Sequence, residues 1–138
     1  MNNPGVYALL SGLSAQAFKV VIELVLRRRW RPGLFVANGG MPSSHSATVT
    51  TLTLKIGQLE GFESSLFSLV LVFGLFVIME ATGLRQEIGQ QAQLLNEMMD
   101  SALHGEKLDG KRLRELVGHT WGEVFGGIVF GTAFYFWV

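Results

Sequence analysis

Residues 39–49 read GGMPSSHSATV, a polar, glycine-rich turn in an otherwise hydrophobic chain. Gly39 and Gly40 let backbone N–H groups converge, and Pro42 or Ser43 opens a helix whose positive dipole end favours an anion. Ser43 and Ser44 add hydroxyl donors, and His45 exchanges a proton near neutral pH. A plainer reading is that the serines cap the helix and His45 is an ordinary first-turn residue. A second group follows at 116–123, LVGHTWGE, where His119 precedes an apolar segment and Glu123 comes four residues later. One helical turn brings that carboxylate to an imidazole nitrogen and aims the other nitrogen outward as a nucleophile or base. Thr120 and Glu123 also form a T-x-x-E capping box, which needs nothing from His119. His104, followed by Gly-Glu-Lys, reads as a surface turn.

Cations accompany both groups. Lys19 sits inside an apolar run with Gln16 and Glu23 near it, a depth at which an ionisable residue is a functional candidate or an i,i+4 ion-pair partner. Glu80 closes another apolar run as a candidate orienting acid, Arg85 follows it, and Arg112 and Arg114 lie just before His119. Cations and backbone dipoles stabilise the equatorial oxygens of a phosphoryl group while histidine attacks or protonates. His45, His119, Glu80 and Glu123 are metal-ligand types but show no pair at diagnostic spacing, so the expected chemistry uses neither metal nor cofactor.

The elements that must position these residues are membrane-like. Hydrophobic residues make up 49% of the 138 and charged ones 16%, against roughly 25% in an average soluble domain. The length suits one domain, 1–138, and the absence of cysteine removes disulfide and thiolate chemistry. Val6 to Leu26 is long enough to span a bilayer and ends in the basic, aromatic stop RRRWR. Ser43 to Leu59 has crossing length but is rich in threonine, which predicts a helix shielded from lipid by its neighbours. Leu66 to Ala81 is a clear apolar span. Trp121 to Val138 is the last, with Gly122, Gly126, Gly127 and Gly131 spaced for close approach to a partner helix. Between them, Leu84, Ile88, Ala92, Leu95, Met99 and Ala102 form an amphipathic stripe, expected on the membrane surface or against the bundle. Asp109 is expected to cap a short helix ending at Gly118.

Four crossings put the ends of spans one and three and the starts of two and four on one side. That side carries Arg27, Arg28, Arg29, Arg31, Arg85, Lys107, Lys111, Arg112 and Arg114, nine of the eleven Lys and Arg. The connection at 58–65 has only Glu60 and Glu63 as charges. The positive-inside bias therefore places both histidine groups at the cytoplasmic face, where the arginines also meet anionic lipid. Net charge is zero, so nothing draws the chain to nucleic acid.

The blocks GGMPSSHSA at 39–47, GLR at 83–85, Gly89 with QA at 91–92, LN at 95–96, and GHT with EV at 118–124 resemble the divergent branch of the type 2 phosphatidic acid phosphatases. These are membrane relatives of acid phosphatases and vanadium-dependent haloperoxidases. The resemblance runs from about Gln16 onward. It implies that Pro42, Ser43 and His45 match the block supplying a general acid, with Ser44 in place of glycine. It further implies that His119 is the phosphate nucleophile, held by Glu123 in place of Asp. Departures stand at Leu24 and Leu113, where the parent family has Lys and Arg. Others are Glu80, Gln86 and Trp121, where the branch usually has Asp, Arg and Pro.

The expectation is thus an all-α integral membrane bundle of about four transmembrane helices plus an amphipathic interfacial helix. It is set in a bacterial inner membrane or a plastid-type one. The expected activity is hydrolysis of a lipid phosphate or diphosphate, with His45, His119 and Glu123 catalytic. Ser43, Ser44, Arg85, Lys19, Arg112 and Arg114 would hold the phosphate. The alternative is a non-catalytic membrane subunit or lipid-headgroup binder that keeps the fold, which the lost arginine and the glycine-rich last span favour. A haloperoxidase-like reading needs vanadate, whereas the residues argue only for an oxyanion site.

Overall fold

The computed structural model describes residues 3–28, 30–36, 40–102 and 120–138, which form four α-helices and no strand. α1 runs Pro4–Arg27, α2 Ser44–Glu60, α3 Ser65–Ala102 and α4 Trp121–Trp137, with a 3-10 helix at Pro32–Val36. Each start is capped locally. Asn3 Oδ1 accepts from the Gly5 N–H at 2.9 Å, with Pro4 at the first helical position. Ser43 caps α2, and the Ser64 hydroxyl accepts from the Phe67 N–H at 3.1 Å to start α3. Gly61, at φ 92°, ends α2 with its N–H bonded to the Gly57 carbonyl at 3.0 Å, a positive φ that favours glycine.

α2 lies at the centre with the other three helices packed around it. Its interior partners are small or hydroxylic. The largest wholly buried side chains are Thr51, Ser11, Ser43 and Ser46, joined by Ala15 and Ala47. Thr51 Oγ1 is 2.8 Å from Ser11 Oγ and 3.0 Å from the Gly131 carbonyl, and the Ser11 hydroxyl donates to the Ala47 carbonyl at 3.4 Å. One hydroxyl network thereby ties α1, α2 and α4. The large apolar side chains point the other way: Phe73 is 65% exposed, Phe125 68% and Phe136 79%. Water would penalise that arrangement, whereas a bilayer solvates the aromatic exterior and leaves hydrogen bonds and close packing to hold the helices together. The protein is an all-α membrane protein.

Among the described residues two helices, over Pro4–Leu26 and Ser65–Met99, are long and apolar enough to cross. α2 and α4 have 17 residues each, about 26 Å and a little short of the roughly 30 Å hydrocarbon core. α2 has the sheathing by its neighbours that its threonines predict. The amphipathic segment differs from expectation in two ways. It follows the apolar span without a break, making α3 one helix of 38 residues. Its buried positions are Gly89, Ala92 and Asn96, while Ile88, Leu95 and Met99 of the expected stripe are exposed. Small residues allow contact on the first face, and the bulky ones face outward as they do along the span. The short helix expected between Asp109 and Gly118 lies outside the described residues.

The opposite end of the bundle encloses a cation. Lys55 on α2 is buried, its ammonium 4.8 Å from the centre of the Tyr7 ring and 5.1 Å from that of Tyr135. A cation between two aromatic faces fastens the start of α1 and the end of α4 to α2.

The packing makes a direct prediction. Thr51→Val removes one interhelical hydroxyl and is expected to cost about 1 kcal/mol in a detergent unfolding titration. Gly131→Leu is expected to yield no folded protein by size-exclusion chromatography, since even a Cβ there would stand 2.6 Å from the Ala47 carbonyl oxygen.

Candidate functional site

Three chain segments meet at the end of the bundle where α2 and α4 begin. The Ser43 N–H donates to the Glu123 carbonyl at 3.0 Å, a bond that fixes the start of α2 against the first turn of α4. Gly127 permits the approach, because a Cβ there would run into the Ser43 carbonyl and stand 2.7 Å from Ser46 Cβ. From α1, Lys19 reaches the same place. It is 4% exposed, lies under the influence of the Glu123 carboxylate, and has its Cδ 3.8 Å from where a Cβ on Gly40 would be. Gly40 takes φ 85°, which turns the chain over that lysine.

Glu123 serves two purposes. Its Oε2 accepts from the Thr120 N–H at 3.2 Å while its own N–H donates to Thr120 Oγ1 at 3.3 Å, so the capping box is formed. The same side chain supplies negative charge to Lys19. Glu23, the other acid near Lys19, has a guanidinium nitrogen of Arg31 at 3.9 Å.

The helix start is partly occupied by its own bonds. The Ser43 hydroxyl, fully buried, accepts from the Ser46 N–H at 3.3 Å and from the Ser46 hydroxyl at 3.1 Å. Ser43 is therefore the cap that the plainer reading describes, and its backbone N–H is committed to α4. The expected anion cradle narrows to the dipole of the α2 N-terminus, Ser44 and His45. His45 is half-buried and, with Ser44 and Gln16, lines a cavity between α1, α2 and α3. α1 thus presents Gln16 to one flank of the α2 start and Lys19, three residues on, to the other.

Glu80 is exposed on α3 and is not brought to this cluster. Arg85 is also on α3, but its side chain, like all of His119, Arg112 and Arg114, lies outside the described residues. Of the glycines expected to face a partner helix, Gly127 and Gly131 are used within the chain against α2. Gly126 lies against Met41, and Gly122 is exposed. In the sequence Gln16 is marked only as a neighbour of Lys19. Its Oε1 is buried with no hydrogen-bond partner among the described residues. The available signal was a lone amide in an apolar helix one turn before a lysine.

Chemically, the cluster offers a buried ammonium, a carboxylate that balances it, a helix N-terminus and an imidazole. That set suits an oxyanion and a proton transfer, with further cations required to offset Glu123.

Comparison with known proteins identifies a family. The profile described as Divergent PAP2 family matches residues 1–134. The chain is also 36% identical over 137 residues to a protein of Bacillus subtilis (strain 168) titled "Uncharacterized membrane protein YuiD", covering 91% of this chain and 87% of that one. No solved structure matches the chain.

The Lys19–Glu123 pairing predicts non-additivity. Glu123→Gln leaves a buried cation with less compensation and weakens the cap, at an expected cost of about 2 kcal/mol in reversible unfolding. Lys19→Met combined with Glu123→Gln is expected to recover part of that loss, and strict additivity of the two would show that the residues do not interact.

Proposed function

This chain belongs to the Divergent PAP2 family, and on that premise we propose that it hydrolyses a phosphate ester or diphosphate on a membrane lipid. The observation that carries the reading is the Ser43–Glu123 backbone bond at 3.0 Å, which joins the turn bearing His45 to the turn that follows His119. The turn bearing His45 and the first turn of α4 thus meet at one end of the bundle, and His119 immediately precedes the latter in the chain.

In the proposed reaction an imidazole nitrogen of His119 attacks phosphorus as the bond to the lipid oxygen breaks, and His45 gives that oxygen its proton. Water then cleaves the phosphorus–nitrogen bond, with His45 taking a proton from it, and inorganic phosphate leaves. Glu123 orients His119. Ser44, the α2 dipole, Lys19, Arg85, Arg112 and Arg114 hold the phosphoryl oxygens, and no step calls on a metal. The sequence bias of nine of the eleven Lys and Arg to the segments on one side of the crossings favours the cytoplasmic face, of a bacterial inner membrane or a plastid-type equivalent.

A second reading has specific support: a lipid-headgroup binder or membrane subunit without turnover. Glu123 is engaged both in the α4 cap and with Lys19, and Ser43 is engaged as a cap. Purified protein in detergent separates the two. The hydrolytic reading expects phosphate release from lipid phosphates or diphosphates, falling by at least about 100-fold in His45→Ala and His119→Ala. Retention of lipid with no release supports the binder, and undiminished turnover by His119→Ala contradicts the proposed chemistry.

A further inference from the structure

The cavity on the His45 flank has a volume of about 290 Å³, at the small end of ligand pockets. It runs along α1 from Leu9 to Gln16, seven residues or about 10 Å, with Val77 of α3 opposite. Its walls change character along that length. Leu9 and Leu13, 65% and 54% exposed, form an outer apolar rim on the lipid-facing surface. The inner end holds Gln16, Ser44 and His45.

Polar bookkeeping at that inner end singles out one atom. The Thr48 hydroxyl, also in the lining, donates to the Ser44 carbonyl of its own helix at 2.8 Å. Gln16 Oε1 is buried and has no hydrogen-bond partner among the described residues, a state that costs free energy unless a ligand or water fills it. The cavity on the other side of α3, between α2, α3 and α4, makes the contrast. It is larger at about 370 Å³, but two of its three threonines, Thr53 and Thr132, bond back to their own helices at 2.7 and 2.8 Å, and no histidine lines it.

We propose that the groove beside His45 receives the hydrocarbon chain of a single-chain phospholipid that enters sideways from the bilayer. A turn of the Gln16 amide about its last side-chain bond brings Oε1 into the groove, where it accepts a hydrogen bond from a hydroxyl at the junction of chain and phosphate-bearing group. This rests on the lipid-phosphate reading, since it sets the phosphate beside His45. It adds the substrate class: one chain, because the cavity is small, and a free hydroxyl donor, because the orphan atom is an acceptor. A lipid lacking that hydroxyl leaves the amide oxygen unsatisfied and binds more weakly.

The test uses the full chain in phosphatidylcholine nanodiscs with a monoacyl glycerol phosphate carrying a diazirine on its acyl chain, and its analogue without the free glycerol hydroxyl. Irradiation and peptide mass spectrometry are expected to place the label around Leu9, Leu13 and Val77. Leu13→Trp, at an exposed position that leaves the core intact, is expected to reduce it about tenfold. The hydroxyl-bearing probe is expected to bind about tenfold more tightly than its analogue, and Gln16→Leu to erase that difference. Label spread evenly over the lipid-facing surface and unchanged by Leu13→Trp overturns the groove. Equal binding of both probes to the unaltered protein overturns the role of Gln16. Groove labelling without phosphate release upholds the inference and defeats hydrolysis, whereas phosphate release with dispersed label does the reverse.

Discussion

The close approach of α4 to α2 is the constraint on which the rest of the structure depends. Gly127 and Gly131 have no room for a Cβ against the Ser43 and Ala47 carbonyls. Only at that separation does the Ser43 N–H reach the Glu123 carbonyl and Thr51 reach that of Gly131. In a bilayer no hydrophobic force drives helices together, so short contacts and interhelical hydrogen bonds must do so. The same contacts that hold the bundle also assemble the candidate site. Stability and site geometry are therefore coupled, and a larger residue at either glycine disturbs both.

Burying hydroxyls around α2 has a further consequence. The helix that carries His45 faces protein on nearly every side, while α1 and α3 take the exposure to lipid. Among the described residues, Lys19 and Lys55 are the cations that this arrangement encloses, one near each end of the bundle. Lys19 is matched by a carboxylate and Lys55 by two aromatic faces. A carboxylate neutralises a charge and an aromatic face solvates it, so the two lysines tolerate burial by different means.

Much of this was legible in the residues. Threonine richness across 43–59 marked α2 as a shielded helix, because such a segment cannot face hydrocarbon cheaply. T-x-x-E at 120–123 marked the cap of α4, and the four-residue glycine spacing marked a close contact. The face of the amphipathic stretch was not legible, since periodicity locates an apolar stripe without saying whether protein or lipid will cover it. Nor was the commitment of the Ser43 N–H to α4. That bond joins segments far apart in the chain, and local sequence carries no record of it. Lys55 was hidden for the same reason, as Tyr7 and Tyr135 come to it from opposite ends.

The central claim is that a histidine at this end of the bundle takes up phosphate from a lipid. The most direct measurement is rapid acid-free quenching after mixing purified protein with a lipid phosphate labelled at phosphorus, followed by peptide mapping. A phosphoimidazole on His119, stable to alkali, labile to acid and absent in His119→Ala, is the predicted result. Release of phosphate with no label on His119 at any time point would contradict it.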